Sequence, residues 1–176
     1  VIAVLGASYI LQRKPVSSAA SEIAAAKSIA VLPFANLLEE SDGAYIADGM
    51  RAQIVARLGK IPNLKVVSGS SAQRYENAPK NPAQVAADLG VADLLEGSVR
   101  KLGEKFQIAV RLIDGKNGAE LWTQSYERTF PEIIQVESEV AGHAAGALGV
   151  SLTESEKQAI NKTATSNPQA YEAYLK

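Results

Sequence analysis

The sequence predicts an α+β fold with a single mixed β-sheet of about five strands. The expected element order is β-α-β-α-β-β-β-α, with helices packed mainly on one face. Three observations lead there. A strand–helix–strand segment runs from Ser28 to Ser68, a capped helix lies between Asn81 and Gly90, and three alternating runs from Asp93 to Arg128 are followed by a long striped helix.

The first strand is "SIAVLPF", a continuous apolar run closed by Pro33, as expected of a strand covered on both faces. After the loop "ANLLEESDG", Ile46, Met50, Ile54 and Leu58 recur at four-residue steps and draw a helix stripe with Ala47 and Val55. Pro62 stops that helix, and "LKVVS" supplies a second strand. The unit is therefore βαβ, with the two strands parallel and the crossover right-handed. "SSAQRY" reads as one or two helical turns. "NPAQVAADLG" is a cleaner helix, with Asn81 as N-cap, Pro82 in the first position and Gly90 at the end.

Strands follow at roughly Asp93–Lys101, Lys105–Asp114 and Ala119–Arg128, and then a helix over "PEIIQVESEVAGHAAGALG" that buries Ile133, Ile134, Val136, Val140, Ala144 and Leu148 in some combination. Gly103-Glu104 fits a two-residue hairpin turn. That register sets Leu94 opposite Ile113, Glu96 opposite Arg111, Ser98 opposite Ala109 and Arg100 opposite Gln107. Side chains alternate along a strand, so these share one largely polar face. Leu95, Gly97, Val99, Phe106, Ile108, Val110 and Leu112 form the core face, where Gly97 leaves room for a packed helix. Glu96 therefore reads as half of a structural cross-strand pair with Arg111, on the outside of the sheet, and not as a catalyst. In "DGKNGAE", Gly118 suits a left-handed bulge position, which turns Trp122 toward Leu112 and Tyr126 toward Ile108.

Other chemistry is sparse. His143 is the single histidine and has no ligand set or triad partners in its local sequence. Ser68, Gly69, Ser70 and Ser71 stand at a strand-to-helix junction, where free backbone N–H groups can contact an anion or small ligand. Neither a Walker pattern nor a GxGxxG fingerprint accompanies them, and plain capping explains them as well. Asp48, with Asp42, Glu39 and Glu40 nearby, has no recognised metal-ligand spacing. No cofactor is expected.

The chain has 176 residues, 18 Lys plus Arg against 19 Asp plus Glu, and a net charge of -1, a balance that argues against a nucleic-acid surface. It has no cysteine, which rules out disulfides and thiolate sites. Residues 1–14 contain "VIAVLGASYIL", too short alone to span a bilayer and read as the end of a transmembrane helix. Residues 15–27 are small and polar, a linker. Core patterning begins at Ser28, so residues 28–150 are expected to form the α+β domain and residues 151–176 a helical linker.

The phrases "SIAVLPFANL", "YIADGM", "LLEGSVRK" and "RLIDGKNGAELWTQSYER" occur in this order. Together they resemble the TolB-like amino-terminal domain of bacterial membrane-anchored signalling proteins, over about residues 28 to 150. That family commonly places the domain after one membrane helix and before tetratricopeptide repeats, with a nucleotide cyclase or winged-helix output domain on the cytoplasmic side. Within residues 151–176, "NPQAYEAYLK" resembles the start of a tetratricopeptide-type repeat. The loop "ANLLEESDG" departs from the family's shorter "SGDP" style. The family has no established catalytic residues, and none is carried over.

The resemblance implies a non-enzymatic sensor or protein-interaction module on the periplasmic side of a bacterial inner membrane, with a cytoplasmic placement as the alternative. Protein partners, a small ligand and membrane attachment through the N-terminal segment are expected. The rivals are a structural adaptor that positions helical repeats, and a hydrolase using Glu96 and Asp48, which requires a deep pocket joining them.

Overall fold

The computed structural model describes residues 27–38, 44–67, 70–75, 81–162 and 167–175. The expected membrane segment at Val1–Leu11 and most of the linker lie outside these residues. Among the described residues no helix is long and apolar enough to cross a membrane.

The elements are β1 (Ser28–Val31), β2 (Ala35–Asn36), α1 (Ala44–Leu58), β3 (Lys65–Val67), α2 (Ser70–Gln73), α3 (Pro82–Leu89), β4 (Asp93–Leu102), β5 (Lys105–Asp114), β6 (Glu120–Thr129), a 3₁₀ turn (Phe130–Glu132), α4 (Ile133–Ala147), α5 (Glu154–Asn161) and α6 (Pro168–Leu175). They build one mixed sheet in the order β3-β1-β4-β5-β6. β1 is parallel to both β3 and β4, while β4–β5–β6 is an antiparallel meander.

The βαβ unit puts Ile29 beside Val66, with α1 as its crossover. Pro33 interrupts the first strand, but the chain resumes alongside β4 as β2, pairing Ala35 with Ser98 and Asn36 with Val99. This differs from the loop that the sequence pattern suggests for "ANLLEESDG". Leu32 N donates to Leu95 O and Leu37 N to Val99 O, so the backbone continues to bond across the break.

The β4–β5 hairpin has the register implied by its turn: Leu102 opposes Lys105, and Glu96 opposes Arg111. Gly103 supplies the φ of +62° that its turn requires. Trp122 faces Leu112 and Tyr126 faces Ile108, but a bulge beyond Leu112 pairs Ile113 with Glu120 and leaves Leu121 half exposed.

Two cores result. Ile29, Val31, Leu95, Val99, Ile108, Val110 and Leu112 face Met50 and Ile54 of α1 and Val136 and Val140 of α4. Burying each large aliphatic side chain stabilises the fold by about 1.5–3 kcal/mol. On the opposite face Ala30, Leu32, Leu94 and Ile113 pack against Ala72 of α2 and Val85, Ala86 and Leu89 of α3. Most helices therefore cover one face, and α2–α3 close one end of the other. The α3 caps follow the sequence: Asn81 Oδ1 accepts from Ala83 N and Gln84 N, and Gly90 turns left-handed with φ +62°. Gly97 does face the core, but its neighbour is the Phe34 ring, 2.6 Å from where a Cβ would stand, and not a helix.

Candidate functional site

The sheet face left open by α2 and α3 carries a cleft of about 570 Å³, lined by Ala35, Glu96, Ser98, Ala109, Arg111 and Thr123, with Pro82 of α3 at its edge. Strand register explains why a depression forms there. Ala35 pairs with Ser98, Ser98 with Ala109, and Ala109 with Ser125, giving a row of small side chains across β2, β4, β5 and β6. Larger rows flank it: Glu96–Arg111–Thr123 on one side and Arg100–Gln107–Glu127 on the other. These rows are four residues apart along each strand, or about 13 Å.

Arg111 Nη2 lies 2.6 Å and Nε 2.9 Å from Glu96 Oε2. Both donors fall on one oxygen. The pair is lopsided in exposure, with the Glu96 side chain 10% exposed and that of Arg111 56%. Glu96 is thus more deeply covered than an ordinary surface acid, while the guanidinium spreads over it into the cleft. In the row beyond the small side chains, outside the cleft lining, Arg100 Nε donates to Gln107, and Lys105 pairs with Glu127 at 3.0 Å.

Of the other residues singled out by the sequence, those that are described do not converge here, and Glu39, Glu40 and Asp42 lie outside the described residues. Ser68 and Gly69 lie outside the described residues, while Ser70 and Ser71 are exposed at the start of the four-residue α2. Asp48 is exposed on α1 and is not among the residues that line the cleft beside Glu96. His143 is exposed on α4, with Nδ1 3.2 Å from Tyr126 Oη and its ring 5.5 Å from Trp122. Burial, reinforced by Glu139, pushes the Tyr126 hydroxyl up to about 12, so it remains protonated and is no ready nucleophile. Among the described residues no group of three or more His, Asp or Glu is placed to hold a metal ion.

A second polar assembly lies in the core on the other face. Glu137 of α4 is fully buried; Arg57 Nη2 of α1 donates to its Oε2 at 3.2 Å, and Tyr171 of α6 donates to its Oε1. Arg57 Nη1 also donates to the carbonyl oxygens of Ile160 and Lys162 at the end of α5. Burial pushes the Glu137 carboxyl up to about 7, against the opposing pulls of Tyr171 and Arg57. Sequence reasoning missed this assembly, although a signal existed. Glu137 sits within the stripe formed by Ile133, Val136, Val140, Ala141 and Ala144, and Arg57 adjoins Leu58 on the stripe of α1.

No family model matches the chain. It is 34% identical over 167 residues to the protein named "Putative adenylate cyclase 3" of Rhizobium meliloti (strain 1021), covering 93% of this chain and 28% of that protein. Among solved structures it resembles TolB from Acinetobacter baumannii, with a TM-score of 0.52 and 19% identity over 70% of this chain and 28% of TolB. It also resembles lipoprotein GNA1162 from Neisseria meningitidis, with a TM-score of 0.51 and 21% identity over 68% of this chain and 99% of that one. The fold is TolB-like. The chain spans 28% of the length of both the Rhizobium protein and TolB.

Proposed function

We propose that this chain is a non-enzymatic protein-interaction module that serves as a sensor on the periplasmic side of a bacterial inner membrane, within a membrane-anchored signalling protein. The observation that carries the reading is the polar cleft, a recess of small side chains between two charged rows on an otherwise accessible sheet face. A protein segment seated there meets the Arg111 guanidinium on one side, and one that runs on past the Ser98–Ala109 row reaches the Arg100–Gln107 pair. The similarity to a protein named as a cyclase supports the signalling context, and the TolB-like fold supports the periplasmic one. For such a partner to signal, it must bind two conformations of the domain with different affinity.

A photo-crosslinking side chain placed at the exposed Ala109 tests the cleft in cells that make the protein. A discrete protein adduct is expected, lost when Ser98→Trp fills the recess and absent from a control position at the exposed Gln135. Equal labelling from both positions breaks the reading. Turnover in a hydrolase screen, abolished by Glu96→Gln with the fold intact, replaces it with the enzymatic one.

One observation favours a second reading, an adaptor that positions helices: α6 is seated in the domain through the buried Tyr171. Under that reading cleft variants are silent and Tyr171→Phe is disruptive.

A further inference from the structure

The two ends of the sheet are built differently. β3 has three residues, Lys65 among them, a short and charged edge that discourages further pairing. At the other end β6 has β5 as its one strand neighbour among the described residues. It is ten residues long, carries neither lysine nor proline, and exposes Thr123, Gln124, Ser125 and Glu127. The bulge beyond Leu112 falls at its start, so the span from Trp122 to Thr129 is regular.

Strand alternation fixes which backbone groups of β6 are free. Leu102 and Lys105 flank the Gly103-Glu104 turn as a bonded pair, so Phe106, Ile108, Val110 and Leu112 turn their N–H and C=O groups toward β6. These meet Arg128, Tyr126, Gln124 and Trp122, and the backbone groups of Thr123, Ser125 and Glu127 therefore point away from the sheet. Two contacts agree with this assignment. Thr129 N donates to Glu132 Oε2, and Glu127 O accepts from Arg128 Nη1, so neither group bonds to β5. α4 braces the strand from one face, with His143 on Tyr126 and Glu139 near Arg128, and leaves the middle of the edge exposed.

We propose that β6 pairs antiparallel with β6 of a second copy of this chain, about a two-fold axis at Ser125, joining two sheets into one. Opposed residues of an antiparallel pair share a face, so the axis must fall at a residue and not between two. Ser125 lies midway between Thr123 and Glu127. An axis there sets Ser125 against Ser125 and Thr123 against Glu127, so the free backbone groups of all three residues find partners. On the helix face Arg128 leaves Glu127 O for the Trp122 indole of the second copy, and Gln124 meets Tyr126. No charge meets its like. An axis at Gln124 sets Glu127 against Leu121 at the bulge, and one at Tyr126 calls on Thr129 N, which Glu132 already holds. The Ser125 axis also acts on the open face. The row Ala35–Ser98–Ala109–Ser125 runs on into the same row of the second copy, so two cleft floors become one trough. This goes beyond the cleft reading, and self-association is measured with nothing in the cleft, so either can fail alone.

Sedimentation equilibrium of the whole chain, with disulfide trapping, tests the pairing. The native chain should dimerise reversibly at micromolar concentration, and one that stays monomeric up to about 1 mM overturns the proposal. Ser125→Pro removes an outward N–H from each copy and no bond to β5, a change that edge strands tolerate. It should weaken the dimer about thirtyfold, for two lost hydrogen bonds. Should it not fold, Ser125→Lys at the same exposed position decides. Opposed lysines should weaken the dimer about fivefold at low salt, with recovery as salt is added, while Gln135→Lys on the outside of α4 changes nothing. Unchanged association in a folded Ser125→Pro or in Ser125→Lys overturns the pairing. The chain has no cysteine, so Ser125→Cys gives each copy one thiol, with Cα atoms about 5.5 Å apart across the axis. Mild oxidation should trap that dimer readily and trap Gln124→Cys, whose Cα atoms stand beyond about 7 Å, far less. The reverse order overturns the axis. A Ser125→Cys adduct formed in cells with a different protein, and not with itself, assigns the edge to a foreign strand and overturns the second copy as its occupant.

Discussion

Two of the carboxylate–guanidinium pairs among the described residues have opposite settings. Glu96–Arg111 lies across adjacent strands on the open face, with the Arg111 side chain 56% exposed. Glu137–Arg57 joins two helices in the core, with side chains 0% and 4% exposed. The outer pair has the shorter contact, 2.6 Å against 3.2 Å, yet the inner pair matters more to stability. Water already solvates the outer guanidinium, so losing the pair removes little. The inner charges have no such alternative, and removing one leaves the other stranded. Contact distance is a poor guide here; burial ranks the two.

The largest expected effect comes from breaking the inner pair. Arg57→Ala should destabilise the chain by about 3–5 kcal/mol at pH 8, read from urea unfolding, because it strands a buried carboxylate and frees the end of α5. At pH 5 the loss should be smaller, since Glu137 there holds a proton and needs no counter-ion. A loss no larger than that from Arg111→Ala would abolish the ranking.

The next effect is in pH alone. The folded-state Glu137 value is raised from 4.5 to about 7, so its contribution is present below 4.5 and is lost as pH rises through 7, by up to about 3 kcal/mol. Glu132 and Glu156, held low by hydrogen bonds from their capping threonines, work in the opposite direction but are solvent-exposed. Subtracting the Glu137→Gln profile isolates the inner group. Identical slopes for the native chain and this variant would remove Glu137 as the cause.

The same contrast shows what the sequence can reveal. The outer pair was legible because strand alternation and the Gly103-Glu104 turn leave one register that buries Leu95, Val99, Ile108 and Val110 together. The parallel neighbours β1 and β3 were legible for a similar reason, since strand, helix and strand follow at βαβ spacing. The inner pair depends on contacts between residues 80 positions apart, and α6 joins it from 34 positions beyond Glu137. No local period encodes such meetings. A Glu in "QVESEV" reads as solvent-facing unless its place on the apolar stripe is weighed above its charge. Phe34 over Gly97 is a parallel case: the glycine signalled close approach, but only the tertiary fold says what approaches. The cleft lay between these extremes. Its Ser98–Ala109 step follows from the hairpin, while Ala35 joins it only because the chain resumes pairing after Pro33.

The smallest effect belongs to the outer pair, and it sharpens the comparison most directly. A double-mutant cycle with Glu96→Gln and Arg111→Gln keeps the side-chain stems and removes the charges. It should give a coupling of about 0.5–1 kcal/mol at low salt, within the range for cross-strand and exposed ion pairs. Since Arg111 is largely in water, added salt should screen that coupling, and 1 M salt, with a screening length of about 3 Å, should remove most of it. A cycle on Arg57 and Glu137 at pH 8 should barely respond to the same salt, because mobile ions do not enter a site whose side chains are only 4% and 0% exposed. A salt-resistant outer coupling above about 2 kcal/mol would show that the 10% exposure of Glu96 governs the pair despite its solvated partner. The two pairs would then differ in location but not in kind, and the cleft wall would be as rigidly built as the core.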